Sequence, residues 1–377
     1  MTILFASFIF VANFLLVCYS IRKIIYIAHK KHLFDEPSEV RKIHLTKTPN
    51  LGGIAICAAL VFTSSLFLSY VTIPKINYLI FVSLVLFILG TTDDLVGVNP
   101  TKKIITQLAV ALIITMLAGC RITNLNGFLG ITVLPYAFSI VFSSVFIVFL
   151  INAFNLIDGI DCLAGGIGLL VSICFSFYFW EMQQTGFMFI AVATAGCLGG
   201  FLLFNRTPAK IFMGDTGSMF LGFITALLSI NFMELTQPTL FAKHAVSTKA
   251  PAIVLGLLII PVFDTLRIFV LRLLQKKSPF AADRNHIHHR LLDLGFSHLQ
   301  STGILLLVNV LALLAVLILP FRTEILFVII AALVLACNAI LSFFHRKRMH
   351  NNRPNLAPHA YQLTRQPPLL ADSQLLK

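Results

Sequence analysis

Fifteen acidic side chains are spread over 377 residues, and two of them, Asp93 and Asp94, sit together at the end of a long apolar run from Tyr78 to Gly90. Charge is costly inside a bilayer, so an ionisable pair at such a boundary points to function. Similar boundaries carry Asp158 and Asp161, then Asp215, then Asp264, and last the string Arg284-Asn285-His286-Ile287-His288-His289-Arg290. On a helix Asp93 and Asp94 point about 100° apart, so one can hold a hard cation while the other accepts a proton. Asn152, Asn155, Asp158 and Asp161 recur at spacings of three and on a helix form one polar stripe. Asp215 follows Arg206 and Lys210 and opens an apolar run; it either caps a helix or binds Mg2+, which at phosphate sites takes one or two carboxylates. The three histidines lack the spacing of a zinc site, and HExxH is absent. Lying among arginines and lysines, they suit a polyanionic substrate. Carboxylates for a cation, basic groups for phosphates and a membrane setting together imply phosphoryl transfer between a soluble donor and a lipid acceptor.

Composition sets the elements that must position these groups. The chain is 58% hydrophobic and 11% charged, with a mean hydropathy of +0.92, whereas soluble domains carry about 25% charge. The expected class is an all-α polytopic membrane protein. Eleven spans are expected, roughly 3 to 28, 51 to 73, 77 to 90, 104 to 119, 137 to 151, 162 to 182, 186 to 204, 215 to 234, 250 to 272, 302 to 319 and 323 to 344, the third to fifth being short. With this topology 23 of the 28 Lys and Arg residues fall on one side and 5 on the other. The basic side is expected to be cytoplasmic, which places the N-terminus outside, the C-terminus inside and every carboxylate and histidine named above at the cytoplasmic face. The first span reads as an uncleaved anchor, because Met1 to Ser7 contains no Lys or Arg. Residues 1–344 are expected to form one transmembrane catalytic domain, and the proline-containing segment 345–377 a mobile cytoplasmic tail. The seven cysteines lack ligand spacing and read as small apolar residues. The net charge of +13 is the positive-inside signal, with no nucleic-acid partner needed.

The strings TTDDLVGV, NAFNLIDGIDCLAGG, FNRTPAKIFMGDTGS and RNHIHHRL, in this order and topology, resemble the polyprenyl-phosphate N-acetylhexosamine-1-phosphate transferases. The likeness runs from about Thr48 to Leu292. It implies an eleven-span enzyme of the bacterial inner membrane that moves a sugar 1-phosphate from a UDP-N-acetylhexosamine to a polyprenyl phosphate, releases UMP and starts a cell-envelope glycan. It further implies Mg2+ as cofactor, with Mn2+ as a substitute, and is compatible with a homodimer. By position, Asp93 and Asp94 match an aspartate pair placed near the lipid phosphate and proposed to deprotonate it, and Asp215 matches a magnesium ligand. Asn155 and Asp158 match polar site residues, Asp161 a position near the uracil, and Asn205 a further site asparagine. His286, His288 and His289 match a motif close to the donor diphosphate, beside which Arg284 is a candidate substrate-binding cation. Lys102 and Lys103 flank the family's basic position, and the sequence does not choose between them. The HIHH form is similar to the GlcNAc-type enzymes, with undecaprenyl phosphate as acceptor, rather than to the phospho-MurNAc-pentapeptide translocases. Cys162 replaces a usual glycine. Two other classes fit less well. A transporter gathers its coupling carboxylates near the midplane, and an intramembrane hydrolase requires HExxH or a GxSG-like nucleophile site.

Overall fold

Apolar runs in hydrocarbon must satisfy each backbone N–H and C=O internally, which the α-helix does. The computed structural model describes residues 2–32, 48–67, 73, 75–237, 244–276 and 286–351, and they form a helical bundle. Its helices are α1 (Thr2–Lys31), α2 (Gly52–Phe67), α3 (Ile76–Val96), α4 (Pro100–Leu112), α5 (Tyr136–Ile157), α6 (Leu163–Glu181), α7 (Thr185–Asn205), α8 (Gly214–Leu235), α9 (His244–Leu257), α10 (Ile259–Leu274), α11 (Ile287–Asp293), α12 (His298–Ile318) and α13 (Thr323–Asn351). A π turn, Ile113–Leu117, extends α4. Among the described residues nine helices are long and apolar enough to cross a membrane, α9 and α10 make one more span bent by 66°, and α2 is a shorter apolar helix. These eleven segments follow the order expected from the sequence.

The third, fourth and fifth spans are not short. They run for 21, 18 and 22 residues, because their polar ends stay helical. Thr91 and Thr92 return their hydroxyls to the carbonyls of Phe87 and Ile88 at 2.8 and 2.7 Å. Asn99 caps α4 by accepting from the Thr101 amide at 2.9 Å, with Pro100 in the first helical position. Asp93, Asp94, Lys103, Asn152 and Asn155 are therefore helix residues and not loop residues. The expected four-residue stripe is broken instead. Helix α5 ends at Ile157, and Asp158 (φ −76°, ψ 42°) and Asp161 lie in the turn before α6, which includes Gly159 and the left-handed Cys162 (φ 66°).

The ninth span differs too, for a reason visible in the chain. Pro261 has no N–H to offer the carbonyl of Leu257, four residues earlier, so the helix breaks at Leu258 (φ −113°, ψ 13°). Asn309 of α12 takes over, donating to the Leu257 carbonyl at 2.5 Å and accepting from the Ile260 amide at 3.2 Å. The bend turns α10 across α5. Helix α13 continues past the expected boundary at 344 to Asn351. Residues 352–377, and Arg284 in the loop before α11, lie outside the described residues.

Helix α8 is the centre, packed by α2, α3, α5 and α6, with every residue from Thr216 to Ile230 buried. Close approach at its N-terminal end needs glycine. A Cβ on Gly53 would lie 2.0 Å from the Gly217 nitrogen, and Gly214 (φ 73°) has the Asn50 carbonyl 2.2 Å from where its Cβ would be. The amides of Gly52 and Gly53 donate to the carbonyls of Phe212 and Met213 at 2.9 and 2.8 Å. The start of α2 is thereby fastened to the entry of α8, and the end of α3 lies against the same turn.

Candidate active site

The ends of α3 and α5 and the starts of α4 and α8 meet at one end of the bundle. Lys103, near the start of α4, places its ammonium between two carboxylates, 2.7 Å from Asp93 Oδ2 and 2.6 Å from Asp215 Oδ2. Asp215 Oδ1 accepts from Asn155 Nδ2 at 2.5 Å, and the same Nδ2 reaches Ser218 Oγ at 3.0 Å. Asp93 Oδ1 accepts the amide of Val98 at 2.7 Å. These groups line a cavity of about 260 Å3 that also receives Asn152, Phe269 and Arg272. Lys102, one residue from Lys103, is exposed. Geometry thus separates the two lysines where the sequence left them equal.

The aspartate pair is separated as well. Asp94 points away from Lys103 and closes on the first turn of α8. Its Oδ1 accepts the Asp215 amide at 2.7 Å, and its Oδ2 accepts the Thr216 amide at 2.9 Å and the Thr216 hydroxyl at 2.5 Å. The first amides of a helix have no intrahelical partner and its N-terminus carries partial positive charge. Asp94 meets both needs from a different helix, so it anchors α8 and sets the direction of Asp215, while Asp93 faces the cavity. Of the two roles open to Asp215, the capping one falls to Asp94.

The donor set at the cavity fits a hard divalent cation. Asp93 and Asp215 already hold one positive charge between them, the Lys103 ammonium, and Mg2+ at phosphate sites takes one or two carboxylates with water and phosphate oxygens completing its shell. Among the described residues no group of three or more His, Cys, Asp or Glu side chains is arranged to hold a metal ion. A cation held here would have to draw part of its shell from water or a substrate.

The turn from 158 to 161 lies beside the group of Asp93, Lys103 and Asp215, joined to it at Gly214. Asp158 accepts the Gly214 amide, and its carboxyl is raised well above the usual range by burial and by the nearby Asp215 and Asp94 charges. Asp161 is buried and accepts from Thr207 Oγ1 at 2.8 Å, with His298 Nδ1 3.4 Å from its Oδ1, while its carbonyl accepts from Thr302 at 2.7 Å. Asn205 accepts from the Cys162 amide at 2.7 Å and donates to the Ile211 carbonyl at 2.9 Å. Both ends of its amide are spent joining two turns. None of Asp158, Asp161, Asn205, His286, His288 and His289 lines the cavity between Asp93 and Asp215.

The histidines come in on α11. Asp264 of α10, 2% exposed, accepts from His286 Nδ1 at 2.9 Å, from the Ile287 amide at 3.1 Å and from Arg267 at 3.0 Å. One carboxylate therefore caps α11 and fixes the tautomer of His286, leaving Nε2 as the free ring nitrogen. His286 and His288 stack with centroids 5.5 Å apart, and His288 lies 4.3 Å from His289. The His288 ring presses on Gly159, where a Cβ would be 2.3 Å from its Nε2, so the histidine helix abuts the Asp158 turn. The sequence names Asp264 without a role, and neither Arg272 nor Phe269 is singled out by it. The signal was there in spacing, since residues 264, 268 and 272 share one face of an otherwise apolar helix.

Burial, and after it the neighbouring His289, lower the His288 pKa from 6.5 to about 3. Between those values the unfolded chain binds a proton that the folded one refuses. Stability associated with His288 is therefore complete above pH 6.5 and is lost as pH falls toward 3. Melting temperature in detergent should decline across that window, and less steeply in His288→Gln. Equal slopes in the two proteins would remove His288 as the cause.

Residues 76–233 match the family described as glycosyl transferase family 4. Similar proteins include the probable undecaprenyl-phosphate N-acetylglucosaminyl 1-phosphate transferase of Bacillus subtilis (strain 168), 32% identical over 288 residues, which are 75% of this chain and 76% of that one. The decaprenyl-phosphate N-acetylglucosaminephosphotransferase of Mycobacterium tuberculosis (strain ATCC 25618 / H37Rv) is 32% identical over 68% of this chain and 69% of its own. The undecaprenyl-phosphate alpha-N-acetylglucosaminyl 1-phosphate transferase of Escherichia coli O157:H7 is 29% identical over 73% of each.

Proposed function

The chain belongs to the polyprenyl-phosphate N-acetylhexosamine-1-phosphate transferases of glycosyl transferase family 4, and from that premise we propose that it transfers N-acetylglucosamine 1-phosphate from its UDP-sugar to undecaprenyl phosphate, releasing UMP. The observation that carries this reading is the Asp93–Lys103–Asp215–Asn155 group around one cavity at one end of an apolar bundle. A diphosphate donor brings charge that must be neutralised, and a lipid acceptor needs a site at the bilayer boundary.

Asp215, with Asp93 beside it, would hold Mg2+, or Mn2+ in its place. When bound, the cation supplies charge neutralisation of the donor diphosphate. Lys103 and Arg272 offer fixed positive charge to phosphate oxygens in the same cavity. Asn155 keeps the Asp215 carboxylate oriented. His286, held by Asp264 through Nδ1, would meet the donor diphosphate with Nε2.

The arrangement favours direct displacement over a covalent phospho-sugar. The Val98 amide and Lys103 draw charge from Asp93, which makes it a poorer nucleophile while leaving lone pairs for a proton or a cation, and both oxygens of Asp94 are turned into α8. A lipid phosphate, with a second pKa near 6 by analogy with phosphorylated side chains, is largely dianionic at pH 7 and needs little deprotonation. Asp93 then orients the acceptor or takes its last proton. The 23-to-5 division of Lys and Arg supports placing the site at the cytoplasmic face of a bacterial inner membrane.

Purified protein with Mg2+, undecaprenyl phosphate and a panel of radiolabelled UDP-sugars tests the proposal. UDP-N-acetylglucosamine should give labelled lipid and UMP, and omission of the lipid should abolish UMP release. A burst of one UMP per enzyme without lipid would overturn the direct route. Turnover only with another UDP-amino sugar would overturn the donor assignment.

A further inference from the structure

Away from the catalytic cavity, a second and larger hollow of about 560 Å3 opens between α11, α12 and α13. That volume lies within the roughly 300–1,000 Å3 of ligand pockets. Its walls are apolar, with Leu291 and Leu294 from α11, Leu305 and Val308 from α12, and Val334 and Leu341 from α13. The polar atom set into it is Asn338 Oδ1, which is buried without a hydrogen-bond partner. Neither Asp93, Lys103 nor Asp215 lines it, and the two cavities share no lining residue.

The rim at the end nearest the histidine helix is basic. Arg290 reaches Ser342 Oγ at 3.0 Å, next to the lining residue Leu341. Arg348 lies over Gly295, where a Cβ would be 2.8 Å from its Nη1, between the lining residues Leu294 and Phe296. Arg346 and Lys347 are exposed on the same last turns of α13 but lie about 160° and about 100° around the helix from Arg348, away from the groove. The acidic group at the rim, Asp293, is engaged by His345 at 3.1 Å. An apolar slot between membrane spans under a cluster of cations matches one chemistry, a hydrocarbon chain joined to an anionic head group. We infer that this groove binds an anionic phospholipid of the surrounding bilayer, one acyl chain between α12 and α13 and its phosphate on Arg348, which shares the groove's face of α13. The chain rests on Leu291, on the back of the short helix that presents His286 and His288. The site is thus separate from that of the lipid acceptor.

The full-length protein in nanodiscs of phosphatidylcholine containing a phosphatidylglycerol with a photoactivatable acyl chain gives the test. Irradiation and peptide mapping should place adducts on residues 334–344 of α13 and 304–308 of α12. Replacing Arg348 with Gln, at an exposed position, should cut the labelling by about fivefold, since one basic group near a lipid surface contributes on the order of 1 kcal/mol. Val334→Phe, which fills the slot, should abolish labelling while the melting temperature is kept. Three results would overturn the inference: equal labelling by a photoactivatable phosphatidylcholine, unchanged labelling in Arg348→Gln, or displacement of the label by undecaprenyl phosphate, which would hand the groove to the acceptor.

Discussion

Asp215→Asn is expected to lower the rate of sugar-phosphate transfer by about 10² to 10³, the usual cost of removing one group that stabilises transition-state charge, with little loss of stability. The carboxylate is held by Asn155 at 2.5 Å and by Lys103 at 2.6 Å. Its amide is held by Asp94. An asparagine keeps the shape and the backbone anchor but removes the charge that answers Lys103 and that would hold a divalent cation. The measurement is kcat at saturating UDP-sugar and lipid over a range of Mg2+ concentrations, beside the melting temperature in detergent. Partial recovery at high Mg2+ fits weakened cation binding. Near-normal turnover at ordinary Mg2+ would remove Asp215 from the site.

The two adjacent aspartates should behave differently from each other. Asp94→Ala strips three hydrogen bonds from the first turn of the central helix, two from amides and one from a hydroxyl. At about 1 kcal/mol net for each, more where the amides are left dry, the loss is on the order of 3 kcal/mol, and activity falls because Asp215 loses its direction. Asp93→Asn keeps an oxygen for the Val98 amide and gives up the Lys103 pair, which Lys103 retains with Asp215. It should lower kcat with a smaller change in melting temperature. Chemical denaturation and single-turnover kinetics on both variants separate the roles. An Asp94→Ala protein as stable as the parent but inactive would make Asp94 a participant in the chemistry instead of an anchor.

Much of this molecule is decided locally, and local features are what a sequence displays. A polytopic chain writes its spans as apolar runs and its sidedness as a Lys and Arg imbalance, since lipid penalises each charged residue where it stands. The eleven segments in order, and the gathering of Asp93, Asp158, Asp215 and His286 at one end, follow from that. Motif resemblance added the chemistry proposed for those residues.

What depends on contact between distant residues was not legible. Nothing in the pair Asp93-Asp94 says which of them turns to Lys103 and which to α8; that is settled by Gly53 letting α2 meet Gly217 and by the entry turn of α8 coming within reach of α3. Lys102 and Lys103 differ by one position on a helix, and only the packing of α4 against α5 and α3 sends Lys103 inward. The stripe from Asn152 to Asp161 obeys helical spacing yet ends at Ile157, because the turn to α6 must reach His298 and Thr302. Spacing fixes which side chains can share a face while the helix lasts. Where it stops, and which carboxylate oxygen meets which donor, is decided by neighbours many residues away, whose hydrogen bonds exist only once the bundle has closed.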